Sequence, residues 1–187
     1  MKTNKLVKMI SAVSILSFAI LGGVSCNNGN SDPDGNKTEE VKGKPFTIKF
    51  SETNAYTAGV FNVKDDWDSI EVKFAELPDS SKVQFAVVSD AVEKEESWGK
   101  SYFSRYPQVA ETVVLNLNNW LNEQTDDDHP KTLAEQGATK ITSINIQAKE
   151  AGVPDVKVAS AIVTKKDGTK VAVIAEKDWG STVTEGI

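Results

Sequence analysis

From about residue 45 onward the chain is written in short runs of strict alternation, and that pattern leaves few folds open. Ile70, Val72 and Phe74 fall on one side of an extended chain, with Glu71 and Lys73 on the other. Val83, Phe85 and Val87 repeat the spacing after the turn-forming stretch LPDSS; Val113, Leu115 and Leu117 form a third stripe, and Ile144 with Ile146 a fourth. A two-residue period sends alternate side chains to opposite faces of a strand, so each run buries one face and wets the other. Further strands are expected in PFTIKF and TAGVFNV. In SAIVTKKDGTKVAVIA, Asp167 and Gly168 stand between two β-rich halves, a strong short-range signal for a hairpin.

Roughly eight or nine strands at such spacings predict an all-β domain, a two-sheet antiparallel β-sandwich. An immunoglobulin-like sandwich competes with a jelly roll. The long irregular stretches from Ala91 to Pro107 and from Asn118 to Lys140 fit the jelly roll better. AVEKEES and TLAEQGA could each form one or two helical turns, and no longer amphipathic helix is expected.

Ahead of this domain, Lys2, Lys5 and Lys8 precede an uncharged apolar run that ends in small residues before Cys26, the one cysteine of the chain. Residues 1–25 read as a secretory signal peptide. A membrane-spanning anchor competes, but the run is about 16 residues where a spanning helix needs about 20. LGGVSC resembles the lipobox of bacterial lipoproteins, with Ser25 before the cysteine and Gly23 where leucine is usual. That resemblance implies that Cys26 is lipidated and becomes the N-terminus. A free thiol left by ordinary cleavage is the alternative, and a single cysteine excludes an internal disulfide. Asn27, in place of aspartate, follows the cysteine; the resemblance then implies export to the outer membrane or cell surface. Residues 26–44 are rich in asparagine, glycine, aspartate and proline and are expected to form a flexible tether reaching about 20 Å. Residues 45–187 form the sandwich domain.

Charge narrows the partners. The chain has 21 basic and 27 acidic side chains. The leader removes three lysines and no acid, leaving 18 against 27, a net charge of −9. With no basic stripe to release counterions from a phosphate backbone, nucleic acid is not an expected partner. The one histidine, His129, excludes multi-histidine metal centres.

Catalysis finds little support. Glu93, Glu95 and Glu96, and Asp126, Asp127 and Asp128, are contiguous charge runs that read as solvated loops. No G-x-S-x-G nucleophile motif is present. The expectation is therefore a non-enzyme; a small glycosidase or lyase would need two carboxylates converging within roughly 5 to 10 Å. The acidic run lacks the spacing of a single-loop calcium site. A structural calcium could instead be held near the two ends of the domain by Glu52 and Asp178, and no other cofactor is expected.

The aromatic residues divide into two groups. Trp67 and Trp120 flank predicted strands and read as caps on the core, where amphipathic rings commonly sit. Trp98, Tyr102 and Tyr106 lie in the polar stretch EESWGKSYFSRYP, outside any alternation. Such rings can stack on the apolar faces of sugar rings while nearby amides meet the hydroxyls. Gln84, Asn116, Asn145 and Gln147 supply amides on the wet faces of predicted strands, but a sandwich divides its strands between two sheets, so all four cannot share one face. An ordinary surface with a partly buried aromatic cluster remains the competing reading.

The order WDSIEVKF, VQFAVVSD, ETVVLNLNNW, ATKITSINIQAK and VASAIVTKKDGTKV resembles the jelly-roll carbohydrate-binding modules attached to bacterial β-glucanases and cellulases, of the galactose-binding-like sandwich type. LNLNNW, ITSINIQ and the D-G-T of residues 167–169 carry the likeness; an aspartate common before that turn is replaced here by Ala159 and Ser160. The resemblance implies chiefly the sandwich; together with the signal, the tether and the loop aromatics, the expectation is a lipid-anchored, non-catalytic protein presenting it to β-glucans or related polysaccharides outside the cell, with Trp98, Tyr102, Tyr106 and the four amides, chosen from their own positions, as candidate sugar contacts. A structural or protein-interaction lipoprotein joining envelope proteins is the alternative.

Overall fold

The structure, a computed structural model, describes residues 40–91, 102–104, 109–118 and 132–186. These residues hold eleven strands and one short helix. In chain order they are β1 (Phe46–Lys49), β2 (Ala58–Asn62), β3 (Trp67–Phe74), β4 (Val83–Ser89), β5 (Tyr102–Ser104), β6 (Thr112–Asn116), α1 (Leu133–Gln136), β7 (Ile141–Ala148), β8 (Val156–Lys165), β9 (Lys170–Ala172), β10 (Glu176–Lys177) and β11 (Thr182–Glu185). Every alternating run identified in the sequence is a strand. The count exceeds eight or nine because β5, β10 and β11 are too short, or too polar, to show a period. β5 also falls within the stretch expected to be irregular.

All strand pairs are antiparallel and divide into two sheets, one ordered β11-β1-β8-β3-β6, with β9 also on β8, and one ordered β10-β2-β7-β4-β5. Consecutive strands β1 and β2, β2 and β3, and β3 and β4 lie in opposite sheets. The run β1-β8-β3-β6 facing β2-β7-β4-β5 is the strand order of a jelly roll.

The inward side chains account for the sandwich. Ile70, Val72 and Phe74 on β3 meet Phe85 and Val87 on β4 and Ile144 and Ile146 on β7, all buried. Two aromatic pairs join the sheets: Phe46 with Phe61, centroids 6.0 Å apart at 76°, and Phe74 with Phe85, 6.0 Å apart at 63°. Both are edge-to-face, the arrangement that sets a ring's positive edge against its neighbour's negative face. Gly59 on β2 has a packing reason: a Cβ there would stand 2.7 Å from Cδ1 of Ile48 in the facing sheet. Trp67 opens β3 and is buried, in accord with a capping role at the end of the core.

The hairpin from β8 to β9 is closed by three residues, Lys166 to Gly168. Lys165 N–H donates to Thr169 O at 2.8 Å and Gly168 N–H to Lys165 O at 2.9 Å. Helix α1 occupies the expected TLAEQGA segment, capped by reciprocal bonds between Thr132 and Glu135. A capping box satisfies two otherwise orphaned backbone donors, which lets a single turn persist.

Asp90, just beyond β4, ties that strand to the entrance of β7. Its carboxylate accepts from the Thr139 hydroxyl and from the backbone N–H groups of Thr139 (2.7 Å) and Lys140 (3.0 Å). The Thr139 hydroxyl first, then the two backbone donors, lower its pKa from 3.8 to about 2. A folded-state pKa below the unfolded one gives stability that is present above about pH 4 and lost as the pH falls toward 2. Asp90→Ala is expected to cost about 1 kcal/mol at neutral pH, a value kept small because the group is exposed. Acid titrations of the two proteins followed by circular dichroism should converge below about pH 2; parallel curves would show that the clamp contributes nothing.

Candidate binding cleft

The register of the five-stranded sheet arranges its residues in rows that cross the strands. Tyr102 stands opposite Val88, Val88 opposite Ser143, and Ser143 opposite Asn62. The next row runs from Ser104 through Ala86, Asn145 and Val60 to Glu176. A third joins Gln84, Gln147 and Ala58. Three of the four amides selected from the sequence therefore stand on neighbouring strands of one face. Asn116, on β6, belongs to the other sheet.

Gln84 and Gln147 are linked, since Gln84 Nε2 donates to Gln147 Oε1 at 2.8 Å and Gln147 Nε2 donates to Tyr56 O at 3.1 Å. Asn145 is only 4% exposed. Its Oδ1 accepts from the Ser143 hydroxyl at 3.2 Å, whereas its Nδ2 has no partner among the described residues. A buried amide donor without an acceptor costs free energy comparable to a lost hydrogen bond, so such groups call for an explanation.

Asn145 lies in a shallow cleft of about 190 Å³ lined by Val60, Asn62, Val88, Ser143, Asn145, Glu176, Lys177 and Asp178. Asn62 Nδ2 donates to Glu176 Oε2 at 3.0 Å, fixing that carboxylate at the β2–β10 edge. Two valines offer apolar surface, while the amide donor, the Ser143 hydroxyl and the carboxylates of Glu176 and Asp178 offer both kinds of hydrogen-bonding group. Few, fixed polar groups on a partly apolar wall are the common make-up of small-molecule sites.

Of the remaining expected residues, Tyr102 takes its place in the row with Val88, while Trp98 and Tyr106 lie outside the described residues, as do Cys26, Trp120, His129 and the segment AVEKEES beyond Ala91. Glu52 and Asp178 are both exposed. Among the described residues no three histidine, cysteine or carboxylate side chains gather as a metal site would require, and no helix is long and apolar enough to cross a membrane.

No protein-family model, curated protein or solved structure matches this chain.

Sequence reasoning passed over two aromatic residues that the fold makes prominent. Tyr56 and Trp179 are each 62% exposed, among the most exposed large hydrophobic side chains described. Neither lies in an alternating run or a polar aromatic-rich loop. The one available signal was that the D-W-G of residues 178–180 places a tryptophan inside a turn sequence.

Proposed function

We propose that this is a lipid-anchored, non-catalytic carbohydrate-binding protein that holds β-glucans or related polysaccharides outside the cell against the outer face of its five-stranded sheet. The observation that carries the reading is the buried Asn145 amide, whose donor has no partner among the described residues and which lines a cleft together with acceptors and short apolar side chains. A sugar ring presents hydroxyl oxygens in its plane and C–H groups on its faces, which suits amides and valines together. The acidic balance of the chain favours uncharged ligands over nucleic acid. Lipidation at Cys26 would supply the anchor, with residues 27–44 as its tether.

Native affinity electrophoresis of the full chain in detergent, with and without soluble β-glucan, xylan or mannan in the gel, tests this reading. Retardation by at least one polymer, without the appearance of reducing ends, is expected. Asn116→Ala, on the opposite sheet, should be retarded as strongly as the wild type. No retardation by any polymer, together with recovery of a stoichiometric envelope protein in a pull-down, would replace the reading with that of a protein-interaction lipoprotein.

A further inference from the structure

Tyr56 and Trp179 are brought to one corner of the amide-bearing sheet by separate segments of chain. Tyr56 extends β2: its N–H donates to Ala148 O at 2.9 Å, and its carbonyl receives Gln147 Nε2. Asp178 extends β10 and Trp179 follows it in a turn: Asp178 N–H donates to Ala58 O at 3.0 Å, and the Ser181 hydroxyl donates to the same carbonyl. Gly180 seats this turn beside the loop carrying Tyr56. With a φ of 69°, it lies so close that a Cβ would stand 2.6 Å from Thr57 Cγ2. The backbone segments that carry the two exposed rings thus lie side by side at the sheet edge, Trp179 following Asp178 of the cleft and Tyr56 accepting the Gln147 amide that Gln84 also engages.

Tyr56 has a further peculiarity, a φ of 60°, the only positive value at a non-glycine residue among those described. Bulky side chains rarely occupy this region, because the Cβ crowds the backbone. A tyrosine kept there with most of its ring in water gains little from burial. Backbone strain of this kind concentrates where a side chain is held out for a ligand.

We infer that Tyr56 and Trp179 form an aromatic platform continuous with the cleft, and that the ligand crossing both is an uncharged, linear polysaccharide engaged over several sugar units. The inference rests on the proposed carbohydrate function and names its substrate class. Length supports it: from the Ser143 row to Ala148, the β7 end bonded to Tyr56, is about 17 Å at the rise of a strand, longer than a single sugar ring. Charge supports it as well. Glu176 and Asp178 outnumber Lys177 along the cleft, so a polymer of uronic acids would bring carboxylate against carboxylate.

Isothermal titration of the full chain with di- and hexasaccharides of β-linked glucose, xylose and mannose, and with polygalacturonate, tests the inference. The hexasaccharide of at least one series should bind more tightly than its disaccharide, and polygalacturonate should not bind. Trp179→Ala should weaken hexasaccharide binding about tenfold. Tyr56→Gly should weaken it similarly while leaving the melting temperature unchanged or higher, a combination that a purely structural tyrosine would not give. Wild-type affinity in both variants, while Asn145→Val is impaired, would overturn the platform alone. Equal binding of polygalacturonate would overturn the uncharged ligand. A wild-type protein that binds no saccharide would overturn the proposed function, and the platform with it.

Discussion

Phe85→Ala is expected to lose about 3–5 kcal/mol of stability, the range typical when a buried aromatic ring is cut to a methyl group. Phe85 is fully buried on β4 and contacts Phe74 of the opposite sheet edge-to-face. Truncation therefore removes transfer free energy, opens a cavity between the sheets and deletes a ring contact worth about 0.5–1.5 kcal/mol beyond its area. The strands that carry the two rings are each held in an antiparallel ladder with a neighbour in their own sheet, so they cannot easily close the void. Urea denaturation measures the effect as a lower midpoint at unchanged m-value. Val114→Ala, on the exposed side of β6, is the matched control and should stay within about 0.5 kcal/mol of the wild type. A loss below about 1 kcal/mol for Phe85→Ala would mean that the core is not centred on this ring pair.

Asn145→Val should move stability and ligand binding in opposite directions. Valine suits the middle of a strand, and it removes a buried amide whose donor has no partner among the described residues, worth about 1 kcal/mol or more in the unliganded protein. The same change deletes the donor that would meet a ligand oxygen in the cleft. Saccharide affinity should fall about tenfold or more, consistent with a buried site left without its hydrogen bond. Thermal unfolding and titration against the retained polysaccharide read the two effects separately. If binding were lost together with stability, Asn145 would be a structural residue of the sheet, and the cleft would lose its principal polar contact.

These two positions show what a sequence can convey about such a chain. Phe85 was legible, because burial on one face of a strand leaves a period of two, visible without knowledge of the partner strand. Asn145 was legible only as one of four outward amides. Its distinction lies in a burial produced by neighbours from β2, β4 and β10, and nothing in the stretch INIQ records them. The hairpin around Asp167 and Gly168 was readable because its determinants are contiguous. The strand β10, two residues of mixed charge, was not, although it brings Glu176 and Asp178 to the cleft.

The aromatic residues make the same point. Trp98, Tyr102 and Tyr106 attracted notice by standing in a polar stretch, which is a local property. Tyr56 and Trp179 lie more than a hundred positions apart and become neighbours only because β2 and β10 pair at the sheet edge.

By itself the sequence determined that the chain forms alternating strands, that they bury one face each in a two-layer β-sandwich, and that its acidity disfavours phosphate backbones. Period and composition are properties of contiguous residues, and hydrophobic burial acts on them wherever the strand is placed. Only the tertiary structure decided which strands share a sheet, which amides share a face, and where an exposed ring meets the cleft. Those outcomes depend on antiparallel register between distant segments, and a shift of one residue in any pairing would have turned the same side chains to the opposite face.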